Sequence, residues 1–295
     1  MANDKISLNA LIEEAEAAKL SLNAYLLPQS AAELEITKEE LLAKMAQMLK
    51  VMEEAAAYGL TGVRSHSGLT GGSALKLQNA AAQPGFNKLL GALATDAVTY
   101  ALAVSECNAA MGRIVAAPTA GAAGVLPGVL LALKKHCNLT EEQLARALVV
   151  AGQIGLVIAA RASLAGAVGG CQAECGSAAA MAAGAAVDAL GGTPAQAGTA
   201  VSIVFKNMLG LVCDPVAGLV EVPCIKRNGG AAVQALLAAE MALAGIGSFI
   251  PADEAIDAMK WVGDSMPCAL RETAGGGLAQ TPTALAWAKA WFERE

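Results

Sequence analysis

The longest apolar run in this chain spans Ala147 to Ala160, is broken once by Gln153, and is closed at its ends by Arg146 and Arg161. A helix that crosses a bilayer needs about 20 apolar residues, so this run reads as a helix buried in a soluble protein, not a membrane span. The limit is informative because 55% of the sequence is hydrophobic and its mean hydropathy is positive. The apolar bulk is alanine and glycine, and only 3% of residues are aromatic. Side chains this small favour helices packed tightly against one another. The predicted fold class is all-α: a predominantly helical single domain, with strands confined at most to short pieces such as "RIVAAP" at 113–118.

Boundary signals agree with helices. Thr37 and Glu40 form a capping box ahead of Leu41, Met45, Met48 and Met52 at helical spacing, and Gly59 can end that helix. Thr140 and Gln143 make a second box before the long apolar run. Thr193 followed by Pro194 reads as an N-cap and first helical residue, and Pro251 opens a helix through "ADEAIDAMKWV". Residues 1–35 are a candidate arm or docking helix pair, and 36–295 a single helical domain.

Charge narrows the partners. With 20 basic and 26 acidic residues the net charge is −6, and no basic stripe appears, so nucleic acid is not an expected partner. The opening "MANDKISLNALIEEAEAAKL" has no apolar core of a signal peptide, and the expected location is the cytoplasm, with no membrane association. In that compartment seven cysteines, an odd number, point to free, catalytic or metal-binding thiols.

Four Gly-rich junctions separate the helices: "SHSGLTGGS" (65–73), "APTAGAAGVLPG" (117–128), "GAVGGCQAECG" (166–176) and "LVCDPVAGLVEVPCIKRNGG" (211–230). In the first, glycines free backbone N–H groups, and Ser67, Thr70 and Ser73 add hydroxyls. If a helix begins near Leu75, these donors lie at its positive end and suit a carboxylate or phosphate. A plain turn fits equally well. The segment is neither a P-loop nor a dinucleotide fingerprint. In the second junction, small residues serving helix packing are the stronger reading. The chain has only two histidines, His66 beside the first junction and His136 in "KKHCN", so a Ser/His/Asp or Cys/His site has little material.

Cys107, Cys137 and Cys268 stand alone and read as small buried hydrophobes. Cys171 and Cys175 share a face if their segment is helical, and Cys213 and Cys224 each have a proline nearby. The paired spacing of zinc sites and the tight cysteine run of ferredoxins are both absent. Spacing alone leaves an iron–sulfur site a minority reading.

Taken together, "SHSGLTGG", "AAPTAGAAGVLPGVLLAL", "GCQAECGSAAAMAAGA" and "GLVCDPVAGLVEVPCIKRNGGAA" resemble the α chain of iron–sulfur-dependent L-serine dehydratase, over residues 37–285. The resemblance implies a [4Fe–4S] cluster held by Cys171, Cys213 and Cys224, with Cys175 outside the ligand set. Three thiolates for four irons leave one iron open as a Lewis acid for the β-hydroxyl of L-serine. No pyridoxal phosphate is implied. The Gly-rich loops then gain a role: Ser67, Gly68, Thr70, Gly71 and Gly72, with Thr119, would hold the substrate carboxylate, and Ser67 and Thr70 stand as candidate catalytic hydroxyls. The family's base is expected from a Ser-Ser-His-Thr segment of a separate β region, which this chain lacks. A β chain is therefore an implied partner. Ala120 replaces an asparagine of many relatives, weakening one expected substrate contact.

Two rivals remain at this level. A cluster-dependent L-cysteine desulfidase would share the same ligand set. A non-enzymatic iron–sulfur sensor or structural protein would not need two hydroxyl-bearing loops.

Overall fold

The computed structural model describes residues 6–293. Thirteen α-helices occur among them: α1 (Leu8–Ala17), α2 (Leu22–Glu33), α3 (Lys38–Gly59), α4 (Ser73–Ala81), α5 (Gly91–Ala109), α6 (Val125–Cys137), α7 (Glu141–Arg161), α8 (Gly166–Gly169), α9 (Ser177–Ala189), α10 (Pro194–Met208), α11 (Cys224–Leu243), α12 (Ala252–Ser265) and α13 (Pro282–Phe292). No strand forms among the described residues, and pairing is limited to two isolated bridges, Arg64–Gly71 and Cys213–Arg271. The all-α expectation holds, and "RIVAAP" is not a strand.

At the centre lies α9, "SAAAMAAGAAVDA", buried from Ser177 to Asp188 and surrounded by α6, α7, α10 and α11. A helix with alanine on every side can be enclosed by four neighbours because no side chain holds them off. Each methylene-sized group withdrawn from water contributes about 0.8 kcal/mol, so this core rests on many small burials. Phe205 is the only aromatic residue among the largest fully buried side chains. Against this centre, α5 packs on α3, α4, α6 and α11.

The capping boxes at Thr37, Thr140 and Thr193 form as the sequence predicts, the last completed by Gln196. The helix α3 does stop at Gly59, but the glycine has a second reason to be there. A Cβ at that position would lie 1.9 Å from the Ala103 carbonyl oxygen of α5. The long apolar run became α7. By length and composition α7 could cross a membrane, yet 67% of its apolar window is buried inside the protein. Around it sit α2, α3 and α9.

The two N-terminal helices pack on this body through buried carboxylates. Ser7 Oγ and the Leu8 N–H donate to Asp253 (2.6 and 2.9 Å), tying α1 to α12. Asn23 donates its N–H and Nδ2 to Asp188 at the end of α9 (3.0 and 2.7 Å). Burial raises the Asp188 pKa, and the bonds from Asn23 oppose that rise.

Candidate functional site

Cys171, Cys213 and Cys224 lie at breaks between helices, and the breaks are joined to one another. Cys171 follows α8 and Gly170, whose φ of +75° lies in the left-handed region, and it precedes a π-helical turn at Gln172–Gly176. The Gln172 N–H donates to the Leu211 carbonyl (3.0 Å), which links this break to the Cys213 segment. The Cys213 N–H donates to Leu270, and the Cys213 carbonyl accepts from the Glu272 N–H (2.9 and 2.7 Å). Cys224 is the first residue of α11. Cys171 and Cys213 are buried, while Cys224 is partly exposed.

The three thiols are close enough to act on one another's charge. Burial pushes the Cys213 thiol far above its usual range, with further increments from Cys171, Glu174, Glu272 and Cys224. Burial, then Cys171 and Glu174, pushes Cys224 up to about 12. Cys171 moves the other way, because Cys175 donates to it and Arg227 lies near; Cys175 is correspondingly raised well above normal. Cys175 thus belongs to the thiol cluster by position. Among the described residues, no three His, Cys, Asp or Glu side chains stand close enough to hold a single metal ion.

Charged groups that the sequence reading did not use surround these thiols. Glu174, one turn beyond Cys171, is largely enclosed. Gly121 and Gly166 make room for it, since a Cβ on Gly121 would lie 3.3 Å from its Oε2 and one on Gly166 would lie 2.9 Å away. Burial raises the Glu174 pKa and Glu272 adds to the rise, while the Thr119 hydroxyl opposes it. Thr119 Oγ1 is buried and closes no hydrogen bond within normal length. The cation of the site is Arg227, which pairs with Asp214 (2.8 Å) and donates to the Val212 carbonyl (2.8 Å). Burial alone would lower its pKa, but Cys171 and Asp214 more than reverse that. Asp214 also accepts the Leu278 N–H (2.7 Å), which folds the 270–280 segment over Cys213.

The loop at 65–72 adjoins the third cysteine through one residue, Glu221. Ser67 Oγ donates to Glu221 Oε1 (2.8 Å) and Thr70 Oγ1 to Oε2 (2.6 Å). The helix after the loop begins at Ser73, two residues earlier than expected, and its N-terminus is also filled. The Glu106 carboxylate, 1% exposed, accepts the N–H groups of Ser73 and Ala74 (2.6 and 3.2 Å). The positive helix end and the loop hydroxyls thus do attract carboxylates, but the carboxylates are the protein's own. Gly68, Gly71 and Gly72 all have left-handed or otherwise positive φ, at 73°, 142° and 74°. Glycine is needed there for backbone shape.

The junction at 117–128 divides its work. Gly124 and Gly128 serve packing, since a Cβ on either would strike α5, at 2.3 Å from the Ala101 oxygen for Gly124. Gly121 instead faces Glu174. Asn228, fully buried, staples the junction to the cysteine segment: it accepts from the Gly124 N–H (2.9 Å) and donates to the carbonyls of Gly121 (2.7 Å) and Cys224 (2.9 Å).

Other expectations are corrected. Cys107 is buried as expected, but Cys268 is exposed and Cys137 half-exposed, because each falls outside the helix interiors. His66 is exposed and meets Trp291 of α13 edge-on, at 6.0 Å between ring centres. His136 bonds to Asp96 (2.6 Å) near the surface of α5 and α6. Glu221, Asn228 and Arg227 stand in the quoted cysteine motif itself; what gave no signal was which partners they would meet.

A family model described as "Serine dehydratase alpha chain" matches residues 5–279. A protein of Bacillus subtilis named probable L-serine dehydratase, alpha chain, is 59% identical over 249 residues, covering 84% of this chain and 82% of that one. The L-serine dehydratase, alpha chain, of Peptoniphilus asaccharolyticus is 44% identical over 249 residues, 84% of each chain. An L-serine dehydratase of Streptomyces coelicolor is 50% identical over 191 residues, which are 64% of this chain but 42% of that longer protein. With matches spanning nearly its whole length, the chain belongs to the serine dehydratase alpha chain family.

Proposed function

We propose that this chain is the α subunit of an L-serine ammonia-lyase that converts L-serine to pyruvate and ammonia, with Cys171, Cys213 and Cys224 holding a [4Fe–4S] cluster. The observation that carries the reading is the meeting of three thiols from three separate helix breaks, with the 65–72 loop tied to the third. The donor set fits a multi-iron cluster. Its thiolates would bind different irons and so stand further apart than the ligands of one ion, and Cys171, Cys213 and Cys224 lie within reach of one another's charge. When bound, such a cluster supplies an iron without a protein ligand, a Lewis acid for the leaving hydroxyl.

The chain's own residues do the remaining work. Cys213 and Cys224, which burial keeps neutral at ordinary pH, would give up their protons on becoming ligands. Arg227 balances part of the negative charge at Cys171. Ser67, Gly68, Thr70, Gly71 and Gly72 form the wall for the substrate carboxylate, with Thr119 the hydroxyl left without a closed bond. Because Ser67 and Thr70 give their protons to Glu221, they shape this wall and do not donate to substrate. The base that takes the α-proton comes from a β chain in the same cytoplasmic enzyme. Phe86, Leu89 and Leu90, exposed after α4, offer an apolar surface for that partner.

The test is pyruvate formation by anaerobically purified protein, with and without a co-expressed β chain. The pair should turn over L-serine and the chain alone should be nearly inactive. No pyruvate from the cluster-loaded pair would overturn the reaction. Full turnover by the chain alone, lost in His66→Ala, would overturn the need for a partner.

A further inference from the structure

We infer that Glu221 is a positioning residue that sets the 65–72 loop against the cysteine segment, and that it governs binding of the substrate's amino-acid moiety through Ser67 and Thr70. The inference rests on the proposed function and adds a residue to it.

Glu221 is 7% exposed, and each of its two carboxylate oxygens receives one hydroxyl proton from the loop, at 2.8 and 2.6 Å. Hydrogen bonds to a charged group are the stronger kind, and an unpaired buried carboxylate is costly. The pair of bonds is therefore firm. Its other end is equally fixed. The Glu221 carbonyl accepts the Ile225 N–H (3.1 Å), the first bond of α11, and Cys224 is the first residue of that helix. Glu106 on α5 holds the far side of the loop by the Ser73 and Ala74 N–H groups. The loop is thus held by two carboxylates, and only the Glu221 side runs to one of the three proposed ligands, Cys224.

Serine and threonine hydroxyls in a turn are usually satisfied by nearby backbone. Ser67 Oγ does accept the nearby Leu69 N–H (3.0 Å), but the proton that Ser67 and Thr70 each donate goes to a carboxylate more than 150 residues away in the chain. Displacing Glu221 to free these hydroxyls for a ligand would strand a buried carboxylate, so Glu221 supports the ligand wall and does not compete with the ligand.

The experiment uses the cluster-loaded chain with its β chain and the probe L-alanine, which carries serine's ammonium and carboxylate without a leaving group. Binding is measured by calorimetry, alongside iron content and thermal midpoint. Glu221→Ala should weaken L-alanine binding tenfold or more at unchanged iron content. Glu221→Gln, which still offers an acceptor to one hydroxyl, should recover part of the loss. A Ser67→Ala/Thr70→Val double variant, which leaves Glu221 and Cys224 intact, should show the same loss, and adding Glu221→Ala should change it little. Unchanged or tighter L-alanine binding in Glu221→Ala, or in the double variant if the first does not fold, would overturn the inference. If the unmodified complex binds no L-alanine and makes no pyruvate, it is the proposed function that fails.

Discussion

Replacing Gly166 by alanine tests whether the glycines around the thiols are there for space. An added Cβ would lie 2.9 Å from Glu174 Oε2 and 3.0 Å from Cys213 Sγ. The Glu174 carboxyl is the end of a flexible side chain and can swing aside. Cys213 cannot do so cheaply, because its N–H and C=O are both bonded to the 270–272 segment. Overpacking of this kind costs roughly 1–3 kcal/mol. Alanine recovers up to about 1 kcal/mol of helix propensity relative to glycine. The net loss is about 0–3 kcal/mol, and the strain falls on a proposed ligand. Gly152, on the exposed side of α7, is the control, since a Cβ there meets nothing within 4 Å. Gly152→Ala should stabilise by roughly 0.5–1 kcal/mol. At roughly 2–4 °C per kcal/mol, the two variants should separate clearly in a thermal melt. Iron content after anaerobic reconstitution should fall in Gly166→Ala and stay normal in Gly152→Ala. A Gly166→Ala protein that melts with the parent and takes up full iron would show that the space at 166 is incidental.

Two further outcomes follow from the site. Cys213→Ser should abolish the brown chromophore of anaerobically prepared protein, while Cys107→Ser, whose thiol meets the Arg113 carbonyl and is shifted by burial alone, should leave the visible spectrum unchanged. Burial raises the Glu174 pKa, so folding opposes its ionisation: the chain without cofactor is unpenalised below the ordinary value of 4.5 and loses stability as pH rises through the folded pKa. Glu174→Gln should then stabilise that form at pH 7, by chemical denaturation, with the difference shrinking toward pH 4; a difference that grows toward acid would refute the assignment.

Helix existence and starts were legible because they depend on local chemistry. Thr37, Thr140 and Thr193 cap as read, since a capping box needs only residues three apart. The packing role of Gly124 was legible in kind from the small residues at 117–128, but not its partner, and what Gly59 does beyond ending a helix was not legible, because the Ala101 and Ala103 carbonyls they accommodate belong to another helix. The same limit explains the loop. A pattern of glycine and hydroxyls correctly signals affinity for carboxylates, yet it cannot say whose. Glu106 and Glu221 reach that loop from 33 and 154 residues away. Glu174 was hidden for a different reason: one acidic residue in "CQAECG" looks like a solvated helix position until Gly121 and Gly166 are seen to close around it.

The charge in the thiol chamber ties these pieces together. Two carboxyls, Glu174 and Glu272, act on the same cysteines, and Arg227, the cation that acts on Cys171 and Cys224, is already paired with Asp214. Without a cofactor the chain meets this excess by keeping Cys213, Cys224 and Cys175 protonated. That solution is stable because burial and mutual repulsion both favour the neutral thiol. On the proposed reading, loading a positively charged iron–sulfur core exchanges the protons of Cys213 and Cys224 for iron, so loading must release protons and strengthen as pH rises. The arrangement also requires walls that do not yield when the charge changes. Alanine-rich α9, the Asn228 side chain that staples Gly121 to Cys224, and the glycines at 121 and 166 that leave room for the Glu174 carboxylate supply such walls.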